Sequence, residues 1–185
     1  YPMQSAEEIL LKYWGFSNFR GLQKEIVEAV LHKKDVLALL PTGGGKSICF
    51  HVPALMNEGL CIVVSPLIAL MKDQVLNLVK KNISAVAIYS GLTNKQLEQI
   101  LINATQEKFK FLYVSPERLQ SNIFKEYLSD IKVNLIAVDE AHCISQWGYD
   151  FRPSYLNINL LRDLKPEIPV IALTASATEF VQDDI

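Results

Sequence analysis

The stretch Asp35-Val36-Leu37-Ala38-Leu39-Leu40-Pro41-Thr42-Gly43-Gly44-Gly45-Lys46-Ser47 decides the fold of this chain. Its apolar run, Asp35 to Leu40, reads as a buried parallel strand, and a helical pattern opens directly behind Ser47. Strand, glycine turn ending in Lys-Ser, then helix is the context of a P-loop. The glycines let the backbone curl until successive N–H groups point inward at phosphate oxygens. In that reading Thr42, Gly43, Gly44 and Gly45 cradle phosphates, Lys46 reaches the outer ones, and the Ser47 hydroxyl holds a magnesium ion. The new helix adds its positive N-terminal end to the same anion. Pro41 stands where the usual pattern has its first glycine.

Outward from this stretch, apolar strand-like runs alternate with helical patterns. Strands are expected at 35–41, 60–66, 84–90, 109–115, 135–139 and 170–175. Between them, Leu67, Leu70, Met71, Val75 and Leu78 share one helical face, as do Leu97, Ile100, Leu101 and Ala104. Such alternation implies an α/β fold, a mostly parallel sheet with helices on both faces, and it puts ligands beyond the carboxyl ends of the strands. Residues 1–34 read as an N-terminal helical segment with two helices over 5–32, the second burying Leu22, Ile26, Val27, Val30 and Leu31. Residues 35–185 read as one compact lobe. A new helix begins after Thr174-Ala175-Ser176-Ala177-Thr178, so a fragment of a longer protein is expected.

Composition excludes several classes. With 185 residues, half of them hydrophobic and 21% charged, the chain is long enough to bury a sizeable core. No apolar run approaches the roughly 20 residues of a membrane span, and no secretory signal is visible. An intracellular protein is therefore expected: cytoplasmic, at the nucleoid, in a bacterium, or nuclear in a eukaryote. The net charge is −2, so any nucleic-acid binding must use a local patch or backbone amides. Cys49, Cys61 and Cys143 form no CxxC pair, which points to buried reduced thiols and to no zinc site.

The second anchor is Leu135-Ile136-Ala137-Val138-Asp139-Glu140-Ala141-His142. An apolar strand here delivers two carboxylates beside the phosphate loop. Their roles split: Asp139 binds magnesium, mostly through water, and Glu140 orients and deprotonates an attacking water. Lys46, Asp139 and Glu140 are thus the catalytic candidates.

Together, PTGGGKS and DEAH resemble the ATPase core of superfamily 2 helicases. The run His142-Cys143-Ile144-Ser145-Gln146-Trp147-Gly148-Tyr149-Asp150-Phe151-Arg152-Pro153 closely resembles the RecQ DNA helicase family. Further matches, in order, are Gly15 to Arg20 with Gln23, Val64 to Gln74, Tyr113 to Leu119, and Ala172 to Ala175. The resemblance implies a RecA-like P-loop lobe that uses ATP and Mg2+. Pro41 in place of glycine fits the superfamily's variant of the motif.

The same resemblance implies that Phe16 and Arg20 sandwich the adenine while Gln23 reads its edge, in keeping with a ring, a planar cation and a two-sided amide. Ser65-Pro66 and Ser115-Pro116 each follow a strand and precede a helical pattern. The serine reads as N-cap and the proline as the first helical residue, which leaves amides free for nucleic-acid phosphates. In the family the matching segments, here with Arg118, grip the DNA backbone. Trp147, Tyr149 and Phe151 lie in a polar stretch with Arg152, as base-stacking residues on a loop would. The resemblance implies that this loop couples DNA binding to hydrolysis, with Tyr149 where the family usually has histidine. Thr174 and Ser176, with His142, could relay contacts from the acidic pair toward a second lobe. Phe19 and Cys143 read as packing residues, and Lys80, Lys81, Lys108 and Lys110 as solvated ends of elements.

The resemblance implies the ATP-binding lobe of a DNA helicase acting in repair or recombination, moving 3′ to 5′ on single-stranded DNA and unwinding partly duplex DNA. A second lobe would supply an arginine finger, so this fragment is expected to turn over poorly. Two alternatives stand beside it: an RNA helicase of the same superfamily and a non-catalytic, ATP-gated DNA-binding module. The Trp147–Arg152 loop and the spacing of Phe16, Arg20 and Gln23 oppose the first; intact Lys46, Asp139 and Glu140 oppose the second.

Overall fold

The computed structural model describes residues 4–41, 45–146, 150–175 and 177–185. Six strands form one sheet: β1 (Val36–Leu39), β2 (Leu60–Val64), β3 (Ala85–Ile88), β4 (Phe111–Val114), β5 (Val133–Val138) and β6 (Val170–Thr174). Their order is β1-β6-β5-β2-β4-β3, and every pairing is parallel. All six expected strands are present, most of them shorter at their ends than the apolar runs suggested. β5 instead begins earlier, because Val133 continues its inward pattern.

Among the described residues, eight α-helices accompany the sheet: α1 (Ala6–Trp14), α2 (Gln23–Leu31), α3 (Ile48–Met56), α4 (Ile68–Lys80), α5 (Asn94–Thr105), α6 (Asn122–Leu128), α7 (Ile158–Leu164) and α8 (Glu179–Asp184). Strand side chains alternate between two cores, as the pleat requires. Ile62, Val64, Leu112, Val114, Ile136 and Val138 face α5, α6 and α7 through Leu97, Leu101, Phe124 and Leu161. Cys61, Val63, Phe111, Tyr113, Leu135 and Ala137 face α2, α3 and α4 through Ile26, Phe50, Met71 and Leu78. A smaller core of Ile9, Leu10, Val27, Ile48 and Val52 fastens the two N-terminal helices onto α3. Wedged between those helices and the sheet, α3 is buried from Ile48 through Ala54, which explains why its sequence is apolar on every side.

Local chemistry sets the helix ends. The Ser5 hydroxyl accepts from the Glu8 N–H at 3.2 Å, and Gly15 closes α1 in the left-handed region at φ +76°. Thr93 and Gln96 complete a reciprocal capping box on α5.

Two helix-face and two capping expectations need correction. Leu67 and Leu70 are exposed, at 42% and 46%, because α4 begins only at Ile68 and turns Met71 and Leu78 inward. Leu22 is also exposed, since it sits at the N-cap of α2 rather than within its buried face. Ser65 does not cap α4, whose N-cap is Leu67. Ser115 does precede a helical segment with Pro116 at its first position, but that segment is a 3-10 helix over Pro116–Gln120, and the hydroxyl caps nothing.

Parallel pairing places every strand's carboxyl end on one edge. Leu39 lies opposite Thr174, and Val64 opposite both Val138 and Val114. The residues that follow, from Leu40 through Ser65, Ser115, Asp139 and Ala175, therefore meet along a single rim.

Candidate nucleotide and nucleic-acid site

At this rim Lys46 meets the acidic pair. Its Nζ lies 2.9 Å from Asp139 Oδ1 and 3.5 Å from Glu140 Oε1. Burial alone would lower the Lys46 pKa, but the hydrogen bond to Asp139 and the charges of both carboxylates outweigh it and hold the amine above its ordinary value. The ammonium stays charged where a polyphosphate would need it. Strand β6 stands between the strands carrying these groups and binds both neighbours, with Leu40 N–H donating to Thr174 O at 3.1 Å.

The acidic pair sits on a strained turn. Glu140 adopts φ +53°, the left-handed region that a glutamate rarely occupies. Two bonds hold it there: the Glu140 N–H donates to Asp139 Oδ1 at 2.9 Å, and the Tyr155 hydroxyl donates to Asp139 O at 2.8 Å. This turn aims the Glu140 carboxylate at the rim while Asp139 stays 7% exposed. Behind it, His142 Nδ1 lies 2.9 Å from Thr174 Oγ1 and 3.6 Å from Glu140 Oε2, so the expected His142–Thr174 relay is in contact. Ser176 lies outside the described residues.

On the phosphate loop, Thr42, Gly43 and Gly44 lie outside the described residues. Gly45 has φ +103°, and a Cβ there would stand 2.2 Å from Gln23 Nε2. The positive φ calls for glycine, and a Cβ there would also push the Gln23 amide off the Gly45 carbonyl. Ser47 is half-buried at the start of α3.

Gln23 connects this loop to the N-terminal helices. Its Nε2 donates to Gly45 O at 2.9 Å, and its Oε1 accepts from the Arg20 N–H at 2.8 Å. Arg20 lies over the Phe16 ring, 5.5 Å from the centroid, and Phe16 is 45% exposed. Phe19 instead packs against the α1–α2–α3 core. Phe16, Arg20 and Gln23 thus gather beside the loop, with the Gln23 amide engaged by the protein's own main chain.

Ser65 and Ser115 are buried at the ends of β2 and β4, and the Ser115 hydroxyl has no hydrogen-bond partner among the described residues. Arg118 donates to the carbonyls of Tyr89, Ser90 and Leu92 at 3.0, 3.3 and 2.7 Å, bracing the loop after β3. Trp147 and Tyr149 lie outside the described residues. Phe151 and Arg152 are half-buried, and Arg152 Nη2 lies 3.4 Å from Asp150.

His142, Cys143 and Asp150 bring three metal-capable atoms within 4.8 Å of one another. Burial and the nearby Asp150 push the Cys143 thiol up to about 11, and Arg152 already pairs with Asp150, so this group reads as packing. Lys110 is a correction. Rather than a solvated end it is half-buried, with Nζ donating to Asn57 O and, at 2.8 Å, to Gly59 O.

Two contributors escaped the sequence reading. Tyr155 carried no local signal beyond following Arg152-Pro153. Asn134, a polar residue within β5, donates to Ala54 O, Asn57 O and Gly59 O at 3.0, 3.2 and 3.1 Å. It fastens the far end of α3 to the strand that delivers the acidic pair.

Residues 20–184 match the DEAD/DEAH box helicase family. The chain is 47% identical, over 99% of its length, to the ATP-dependent DNA helicase RecQ of Bacillus subtilis, and covers 31% of that protein. It is 46% identical to the corresponding RecQ of Synechocystis, covering 94% of this chain and 38% of the relative. The chain thus spans about a third of the length of these relatives. The crystal structure of the DUF1998 helicase MrfA bound to DNA and AMPPNP superimposes with a TM-score of 0.77 at 16% identity, covering 98% of this chain and 28% of that one, which supports the fold. A phosphate-loop lysine held between paired carboxylates on a RecA-like parallel sheet, with a family match from residue 20 to 184, places the chain in the DEAD/DEAH box helicase family.

Proposed function

We propose that this lobe binds ATP and magnesium and, within a longer protein, couples hydrolysis to movement along single-stranded DNA. The observation that carries the reading is the Lys46 ammonium set 2.9 and 3.5 Å from Asp139 and Glu140 at the ends of parallel strands. This donor set suits a magnesium polyphosphate. Lys46 would exchange its carboxylate partners for the outer phosphates, Ser47 and Asp139 would hold the ion, and Glu140 would be left to orient and deprotonate water. Magnesium, when bound, neutralises charge that develops on the phosphate oxygens. Phe16 and Arg20 offer the adenine a ring and a planar cation, and Gln23 reads its edge once it releases Gly45 O.

On the same rim, the main chain around Ser65 and Ser115 offers amides to a nucleic-acid backbone, and the aromatic residues Trp147, Tyr149 and Phe151, which the sequence sets just before Arg152, suit base stacking. This reconciles nucleic-acid binding with a net charge of −2. The catalytic arginine opposite the γ-phosphate would come from a second lobe. Resemblance to RecQ helicases supports DNA over RNA, 3′-to-5′ movement, and work in repair or recombination.

The test is ATP hydrolysis by the full-length protein with single-stranded DNA or RNA of matched sequence. Stimulation by DNA at least about tenfold above that by RNA is expected. Equal stimulation would favour an RNA helicase, and none with either would leave a nucleotide-binding module.

A further inference from the structure

His51, Tyr113 and Gln74 form a line of hydrogen bonds that runs from one helix to another across one face of the sheet. His51 lies on α3, one turn beyond Ser47, with its Nε2 2.8 Å from Tyr113 Oη. The Tyr113 hydroxyl donates to Gln74 Oε1 at 2.6 Å. Tyr113 sits on β4 two residues before Ser115, and Gln74 sits on α4, the helix that follows Ser65-Pro66.

The hydrogen-bond partners assign a proton order along this line. Because the phenol donates to Gln74, its oxygen accepts from His51, so His51 Nε2 carries the hydrogen. Burial keeps the imidazole neutral, its pKa lowered to about 3, and holds the Tyr113 phenol protonated. Trp14 stacks on His51 at 5.8 Å, and Phe50 and Phe111 contact the ring edge-on, which locks its orientation. A cavity of about 390 Å³, lined in part by Trp14, Ser47, His51, Gln74 and Asn77, separates α3 from α4 at this level. Directional hydrogen bonds therefore bridge the two helices where close packing does not.

We propose that the His51–Tyr113–Gln74 line ties the P-loop helix to the segments carrying Ser65 and Ser115, so that nucleotide occupancy sets the grip on nucleic acid. The proposal rests on the function given above. A shift of α3 as Lys46 exchanges Asp139 for a phosphate moves His51 along its bond direction, and β4 and α4 follow through the shared hydroxyl. Because coupling between two binding sites is reciprocal, nucleic acid on the rim must alter nucleotide affinity by the same factor. Tyr113 and Gln74 act here as positioning residues.

The test uses the full-length protein with Tyr113→Phe, which removes the shared hydroxyl and keeps the ring. Two quantities are read: the ratio of DNA-stimulated to basal ATP hydrolysis, and the ratio of single-stranded DNA Kd without and with a non-hydrolysable ATP analogue. The first is expected to fall about fivefold or more, and the second to approach one. Gln74→Leu, at a half-buried surface of α4, should reproduce both losses, and the double variant should lose no more than either alone. Gln74→Leu also carries the test if Tyr113→Phe fails to fold. A wild type that DNA does not stimulate would overturn the function itself. A stimulated wild type whose variants keep both ratios within about twofold would overturn only the tie.

Discussion

Two half-buried lysines stand at opposite edges of the sheet, and their partners separate chemistry from scaffolding. Lys46, on the carboxyl edge, faces two carboxylates, which hold its amine above the ordinary value against the opposing effect of burial. Lys110, at the amino edge before β4, faces the carbonyls of Asn57 and Gly59, and burial lowers its pKa. Carbonyl dipoles compensate a buried ammonium less fully than carboxylate charges do. A lysine is poised for an anion when its present partners are themselves anions, placed where the ligand's charge and magnesium would rearrange them. A lysine capped by main chain is holding a loop.

Replacing each lysine in turn separates the two roles. Lys46→Ala should lower DNA-stimulated ATP turnover of the full-length protein by about 10²–10³-fold or more, since it removes a preorganised cation at the phosphates. Steady-state hydrolysis at saturating ATP checks it, and a small loss would mean that Lys46 is structural. Lys110→Met should do the reverse. Turnover should stay within about twofold, while unfolding free energy drops by about 2–3 kcal/mol as two main-chain carbonyls lose a charged donor. Urea unfolding reads that change.

His51 supplies a third, smaller contrast, a buried base whose charge is suppressed rather than kept. Its pKa is lowered from 6.5 to about 3 by burial, so the unfolded chain binds more protons between those limits. Stability from this site is complete above pH 6.5 and is lost as pH falls toward 3. Between pH 7 and 5 the His51 contribution should fall by about 2 kcal/mol, and His51→Gln should flatten the profile by that amount in urea unfolding at each pH. An unchanged slope would place a proton on His51 in the folded state.

Much of the fold was legible because a parallel sheet covered on both faces leaves its strands as apolar runs, and six such runs became six strands. The meeting of Lys46 with the acidic pair was legible because Gly-Lys-Ser and Asp-Glu stand at fixed offsets from the ends of their strands. Other features had no local signature. Asn134 looks like an interruption in β5, and its Ala54 partner lies 80 residues away. Lys110 reads as a surface charge until the loop before β2 folds against it. Leu67 and Leu70 fit a helical period, but the start of α4 is set by the extended backbone of Leu67, at φ −111° and ψ 105°, and not by the serine-proline step. The two serine-proline segments share a dipeptide and a strand end, yet only the second opens a helical turn directly, so tertiary surroundings outweighed the local sequence.

We propose that the strained turn at Asp139-Glu140 presents a base to water while Lys46 and Asp139 serve the phosphates and metal. Glu140→Gln in the full-length protein tests it most directly, because it keeps the shape and the turn and removes the proton acceptor. DNA-stimulated ATP hydrolysis should fall by about 10²–10⁴-fold, with affinity for a non-hydrolysable ATP analogue kept within about threefold. Turnover within about twofold of wild type would contradict the account, because Glu140 would then not be the base.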